Sequence, residues 1–144
     1  MINVQAGPFI TFGPMLHWNF GDKGRFFSIA FEVSCWNSDF WINNFLLPSI
    51  DAGIEGSAHR FYRIYAELQG LMEIYPDGDV PLGISLGPVI EFGDERNYFG
   101  WQGSVWMCAL LGVDVRFRMF DEKKVIAPGL MVKWMHPNPL ENFD

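Results

Sequence analysis

The chain has no long apolar run and no recognisable leader segment. None of its apolar stretches approaches the ~20 residues that a membrane-spanning helix needs. Apolar–polar alternation begins at Ile2, with no basic segment or apolar leader before it. Two interpretations of that start stay open. Either a mature fragment carries an added initiator Met, or the native protein has no secretion signal.

Cysteine is also scarce, and the two present allow at most one disulfide bond. Cys35 lies on the apolar side of its predicted strand and Cys108 on the polar side of another, so we expect two separate thiols. Their arrangement has no zinc-binding spacing, and we predict no metal site. No phosphate-binding glycine loop leads from a strand into a helix, and we predict no cofactor.

Basic residues are few and scattered. Charged residues make up 19% of the chain, against about 25% in a typical soluble domain. The net charge is −7, and the ten basic residues form no stripe along any predicted strand. Because nucleic-acid binding needs clustered Lys and Arg, the composition predicts no nucleic-acid partner.

What the chain has throughout is alternation with a period of two, from Ile2 to Trp134. No helical period persists for more than a turn, and short turns between the segments favour antiparallel neighbours. We predict an all-β, antiparallel, up-and-down barrel of about eight strands, as a single domain over residues 1–144 with an irregular tail at 135–144. The count is seven unless one of the two long segments, 2–20 or 99–118, divides; the predicted strands cover 2–20, 25–36, 49–58, 61–72, 82–92, 99–117 and 125–134.

Two interpretations of the alternation differ in which face meets solvent. In a soluble barrel or sandwich the apolar face is the core, whereas in a membrane barrel it meets lipid and the polar face lines the lumen. The polar face carries both signs of charge and almost no Lys, which favours an internal salt-bridge network. We predict that this lumen network consists of Glu32, Asp51, Glu55, Arg63, Glu67, Glu91, Asp114, Arg116 and Arg118.

Aromatic residues make up 17% of the chain and gather near the predicted strand ends. Such placement is typical of the aromatic girdles at membrane interfaces. We therefore expect interfacial positions for five tryptophans: Trp18, Trp36, Trp41, Trp101 and Trp134.

Prolines inside the predicted strands count against closure. Proline cannot donate to a β-ladder and is confined to edges or bulges, and a closed barrel has no edges. Each such residue therefore needs a bulge or a place outside the lipid zone; the four are Pro8, Pro14, Pro88 and Pro128.

Residues 40–47, from Phe40 to Leu47, interrupt the alternation with a strongly apolar loop. So apolar a loop should not be left bare in water. It either caps its own barrel or contacts a membrane surface or a protein partner.

Taken together, the dyad patterning, the strand-end aromatics and the charged polar face resemble the small eight-stranded outer-membrane β-barrel proteins of bacteria. The resemblance implies a bacterial outer-membrane location if a signal peptide was removed, and contact with membrane lipid or detergent. Otherwise the chain is soluble or part of an assembly. Members of that class serve as anchors, adhesins, narrow channels or lipid-modifying enzymes, so the class does not select one role.

One group of residues has the composition of a hydrolase site. Ser57 and His59 lie two apart on one strand face, with Glu55 beside them. Neighbours on one strand face are ~7 Å apart, too far for a nucleophile to form a hydrogen bond with its base, so we predict no catalytic residues.

The leading hypothesis is a non-enzymatic outer-membrane barrel with a structural or surface-interaction role and a plugged lumen. The alternatives are a soluble barrel or sandwich that binds an apolar ligand or packs in an assembly such as a virion, and, third, a lipid-modifying barrel enzyme.

Overall fold

The computed structural model describes residues 8–22, 24–37, 39, 42, 46–58, 61–72 and 81–137. Within that part of the chain, no helix has the length and apolar character needed to cross a membrane. The described residues form nine β-strands: β1 (Pro8–Gly21), β2 (Gly24–Asn37), β3 (Leu46–Ser57), β4 (Phe61–Met72), β5 (Leu82–Gly93), β6 (Asn97–Cys108), β7 (Leu111–Phe120), β8 (Lys124–Val132) and β9 (Trp134–Pro137).

The strands form one closed sheet. Each of β1 to β7 pairs antiparallel with the strand that follows it, and β1 also pairs with β8, which closes the ring. In the described part of the chain, each of β1 to β8 therefore pairs with a strand on both of its sides. The predicted all-β, antiparallel barrel of about eight strands is confirmed.

The eighth position in the ring is shared by β8 and the short β9. β8 pairs with β1 at Met15↔Met131, and β9 pairs with β1 at Phe12↔Trp134 in the same register. β9 is therefore the continuation of β8. The expected irregular tail at 135–144 is wrong for residues 135–137, because their backbone pairs with β1; residues 138–144 lie outside the described part.

The long predicted segment 99–118 divides into β6 and β7. The number of strands in the ring is therefore eight, where the sequence pattern alone gave seven. The turn consists of Ala109 and Leu110, and Cys108 pairs with Gly112 across it. The turn carries two apolar residues, and side chains at 107 and 111 both face outward. The alternation therefore continues through the turn without a change of parity. For this reason the sequence pattern does not reveal the turn.

Three in-strand prolines are accommodated without a bulge. The ladder skips residues around Pro14 on the β8–β9 side, around Pro88 on the β4 side and around Pro128 on the β1 side. The ladder on the other side of each proline stays continuous, and the register is the same before and after each gap. A bulge was therefore the wrong expectation for these three, because the ladder lacks the bond that proline cannot donate and resumes after a two-residue gap; a place outside the lipid zone stays a prediction. Pro8 is the first residue of β1.

The barrel has its apolar face outside. Large apolar side chains such as Ile29 and Leu68 are 68% and 70% exposed, whereas the largest fully buried side chains include Arg63, Arg116 and Arg118. The two thiols follow the predicted parity, with Cys35 exposed and Cys108 buried, and both are free. The polar face of the alternation therefore lines the interior.

The two ends of the barrel differ. We call the end with connections 22–23, 58–60, 94–96 and 121–123 the turn end. The opposite end, where β1 begins and β9 ends, carries connections 38–45, 73–81 and 109–110, and we call it the terminal end. At the turn end, Gly24 has a φ of +117°, a conformation that L side chains rarely adopt, so glycine suits this hairpin.

Gly87, beside Pro88, lies against the backbone of β4. A Cβ added to Gly87 would meet the carbonyl oxygen of Ala66 at 1.9 Å, whereas one added to Gly56 would meet no atom within 4 Å. We expect Gly87→Ala to lower the free energy of unfolding by about 2 kcal/mol or more, because backbone must shift. Gly56→Ala, the matched control, should leave stability unchanged or raise it by roughly 0.5–1 kcal/mol. Urea unfolding of the detergent-solubilised barrel, followed by Trp fluorescence, measures both; equal stabilities would contradict the close approach.

Candidate functional site

The interior holds a group of charged side chains nearer the turn end, centred on Glu55. Arg63 donates from Nη1 to Glu55 Oε1 at 3.2 Å and from Nε to Glu91 Oε2 at 2.7 Å. Arg118 donates from Nη2 to the other oxygen of Glu55. Lys123 donates to Glu91. Two carboxylates thus bind three basic side chains in a chain of contacts across the lumen.

A second group surrounds Arg116. Its guanidinium donates to Asp114 Oδ2 at 2.9 Å, to Glu67 Oε2 at 3.5 Å and to Glu32. The guanidinium carbon lies 4.7 Å from the centre of the Tyr65 ring, a cation–π geometry. Since all of these side chains are buried, the arginine is held by charge on several sides.

His17 joins the two groups. Its Nε2 lies 2.9 Å from Asp114 Oδ2, and its Nδ1 lies 3.7 Å from Glu55 Oε1. Asn19 makes a further link, because its Oδ1 accepts from Arg63 at 2.9 Å and from Arg118 at 3.1 Å. The interior therefore contains one connected polar network.

Asp51 is buried with the other predicted network residues but is not paired with a basic side chain. Neither of its carboxylate oxygens has a hydrogen-bond partner among the described residues, and Glu67 Oε1 also has none. One oxygen from each of Glu32, Asp51 and Glu67 lies within 4.8 Å of the others. These three carboxylates, which we call the carboxylate triad, are the described side chains best placed to hold a metal ion.

The charge pattern of the sequence does not identify several other residues of the network. Lys133 donates to Glu32 Oε1 at 2.7 Å, Tyr65 donates to Glu32 Oε2 at 3.1 Å, and Gln102 accepts from Arg118 at 2.8 Å. His17 belongs with them, because it contacts both Asp114 and Glu55. The parity of each residue within its strand would have placed all four inside.

Apolar side chains fill the lumen beyond the charged layer. Toward the terminal end, Trp36 stacks on Phe9 with ring centres 6.1 Å apart and meets Trp106 edge-on at 6.3 Å. We call this cluster the terminal plug; its buried members are Phe9, Met15, Ala30, Trp36, Leu47, Trp106, Cys108 and Met131. A smaller buried cluster contains Tyr65, Val89, Phe120 and Val125. Apolar packing therefore shields the charged layer from water at the terminal end.

Trp36 corrects one prediction. We expected it at a membrane interface, but it is 3% exposed and its Nε1 donates to Thr11 inside the barrel at 3.0 Å. The physical reason is parity, since Trp36 shares the inward face of β2 with Ser34 and Glu32. Trp18, Trp101 and Trp134 face outward and are about half exposed. Trp41 lies outside the described residues.

The hydrolase arrangement considered for Glu55, Ser57 and His59 is not formed by the residues that can be described. The Glu55 carboxylate is bound by the two arginines, and Ser57 Oγ donates to the carbonyl oxygen of Phe27 at 2.9 Å. His59 lies outside the described residues.

Three residues of the apolar loop at 40–47 belong to the described part of the chain: Ile42, Leu46 and Leu47. Ile42 and Leu46 form an isolated antiparallel bridge, and Leu47 is buried in the terminal plug. Phe40, Trp41 and residues 43–45 lie outside the described part. Contact of this loop with a protein partner therefore stays a prediction.

Removing Arg116 tests the energetic weight of the network. We expect Arg116→Met to lower the free energy of unfolding by ~3–5 kcal/mol, because it leaves buried carboxylates without their cation. Arg96→Met is the matched control, since Arg96 pairs with Glu122 at the surface, where their side chains are 48% and 65% exposed. That variant should unfold at nearly the wild-type urea concentration. Wild-type stability of Arg116→Met would show that the network contributes little.

Comparisons with known proteins bear on the fold. No protein-family model matches the chain, and no match to a curated protein is found. Among solved structures, the chain is similar to Neisserial surface protein A, with 10% identity, a TM-score of 0.53 and coverage of 90% of this chain and 98% of that chain. It is similar to Ail, the attachment invasion locus protein of Yersinia pestis, with 12% identity, a TM-score of 0.56 and coverage of 92% and 100%.

A third similar structure is the outer membrane enzyme PagL, with 13% identity, a TM-score of 0.56 and coverage of 84% of this chain and 97% of that chain. At such identities the likeness concerns the fold alone. The chain thus has the fold of the small eight-stranded outer-membrane β-barrel proteins.

Proposed function

We propose that this chain is a non-enzymatic, non-conducting barrel that spans the bacterial outer membrane and has a structural or surface-interaction role there. The observation that carries the proposal is the inversion of the two faces. Arginines occupy the interior, and large apolar side chains cover the outside of the wall. Water would not stabilise that arrangement, whereas lipid would.

The dimensions of the wall support a membrane location. The strands β3 to β6 are each 12 residues long. At ~3.3 Å per residue and the tilt of about 40° usual in barrels, such a strand spans roughly 30 Å, the thickness of a bilayer's hydrocarbon core.

Outward aromatic pairs support the same location. Trp18 stacks on Phe27 with ring centres 4.7 Å apart, and Tyr62 stacks on Phe92 at 4.9 Å. All four residues lie in the halves of their strands near the turn end. Aromatic rings at this level are expected where a barrel wall crosses from hydrocarbon into the polar headgroups.

A filled lumen supports the non-conducting part of the proposal. A pocket of about 460 Å³ opens at the turn end, and Glu91 is among its lining residues. Glu91 itself is bound by Arg63 and Lys123, and the connected network follows it along the lumen. The terminal plug then occupies the far side. An eight-stranded interior is just wide enough for side chains to fill.

Recording across planar lipid bilayers tests this proposal. We expect the refolded wild-type barrel to insert into lipid vesicles and float with them after a urea wash, yet to give no steady conductance steps. A double variant, Trp36→Ala with Trp106→Ala, removes the largest rings of the terminal plug and should raise conductance above the wild-type level. A large porin is the positive control for the recording.

Two results would contradict the proposal. Regular open-channel steps from the wild type would show a conducting pore. Wild-type protein that stays folded and monodisperse in plain buffer, and does not float with vesicles, would show that the outer face does not meet lipid.

A further inference from the structure

The carboxylate triad carries more negative charge than its surroundings neutralise. Glu32 is bound by Arg116 and Lys133, while Glu67 shares the same Arg116 through Oε2 alone. Arg116 also forms an ion pair with Asp114. No described basic side chain pairs with Asp51, which is only 1% exposed. A buried carboxylate without compensation is costly, so the site needs another positive charge.

The atoms without partners point to an ion rather than a single proton. Both oxygens of Asp51 and Oε1 of Glu67 are buried without a hydrogen bond. Ser49, at the preceding inward position of β3, also has a buried hydroxyl oxygen without a partner. One proton can join two of these four oxygens, as donor and acceptor, and leaves the other two without a partner. Ca²⁺, a hard divalent cation, takes 6–8 oxygen ligands, which is enough coordination positions for all four.

The spacing of the oxygens suits one Ca²⁺ ion. Two ligands on opposite sides of Ca²⁺, at ~2.3–2.6 Å each, are at most about 5 Å apart. The triad's oxygens lie within 4.8 Å of one another, which is inside that limit.

We propose that Glu32, Asp51 and Glu67 bind one Ca²⁺ ion inside the barrel. The ion bridges β2, β3 and β4, which are consecutive in the ring, and neutralises the charge that Arg116 and Lys133 leave. Binding therefore stabilises the folded barrel and has little affinity for the unfolded chain, which lacks the assembled site. The proposed site lies inside the barrel, so this proposal does not depend on whether the outer face meets lipid.

The test uses the full chain refolded in detergent, either with Ca²⁺ or with a chelator. We expect the folding equilibrium constant to rise roughly 100-fold at a free Ca²⁺ concentration 100 times the dissociation constant. About one Ca²⁺ per chain should remain after desalting, measured by elemental analysis. Tb³⁺ substituted for Ca²⁺ should show luminescence sensitised by Tyr65, whose hydroxyl donates to Glu32.

Two variants locate the site. Asp51→Asn should fold but lose the Ca²⁺ response and the Tb³⁺ signal, and Glu67→Gln serves the same purpose if Asp51→Asn does not fold. Glu91→Gln is the matched control, because Glu91 is a buried carboxylate of the network bound by Arg63 and Lys123 and lies outside the triad. It should keep the full response.

Three outcomes would overturn the proposal. One is wild-type protein that holds no Ca²⁺ and unfolds at the same urea concentration with metal or chelator. Another is an Asp51→Asn variant that responds to Ca²⁺ as the wild type does. The third is stability that varies with pH but not with Ca²⁺, which would show that the triad holds a proton only.

Discussion

The constraint on which the rest of the structure depends is the burial of three arginines inside a closed β-wall. A guanidinium removed from water needs carboxylates and hydrogen-bond acceptors on several sides. Glu55 supplies them to Arg63 and Arg118, and the acidic residues around Arg116 supply them to the third. Because the interior is polar, the apolar half of every strand must face outward. The charged residues of the inner face thus require an apolar medium around the outer face.

Closure of the wall sets a second requirement, that backbone groups find partners all round the ring. β1 meets it by pairing with β2 on one side and with β8 and β9 on the other. Prolines are tolerated because each interrupts only one of its two ladders. Gly87 beside Pro88 allows the neighbouring backbone to approach closely at such a gap. The same wall positions the carboxylate triad, since its members come from three adjacent strands.

Much of this architecture could be predicted from alternation, because parity alone decides the side on which a strand residue lies. It predicts Glu32, Arg63 and Arg116 inside, and their side chains are buried. Parity also puts Trp36 inside, where it is buried, whereas its aromatic character and strand-end position indicated a membrane interface. The partners of each charge were not predictable. Arg116 and Glu32 are 84 residues apart and sit on strands that are not neighbours, so their contact depends on how the ring closes. The turn at Ala109 and Leu110 was hidden because it lacks turn-forming residues and preserves parity.

The central claim is that the apolar face of the wall meets lipid, and spin labelling along β2 tests it most directly. Each position from 29 to 36 would carry a nitroxide on a single cysteine, with the barrel in lipid vesicles. All variants contain Cys108→Ser, and the native Cys35 serves as the label site at position 35. The account predicts collision with oxygen, which dissolves in hydrocarbon, at odd positions such as Ile29, Phe31 and Val33. Even positions should be shielded both from oxygen and from a water-soluble nickel complex. The contradicting result is nickel access at even positions with odd positions shielded, which would put the apolar face in a core and the charged face in water.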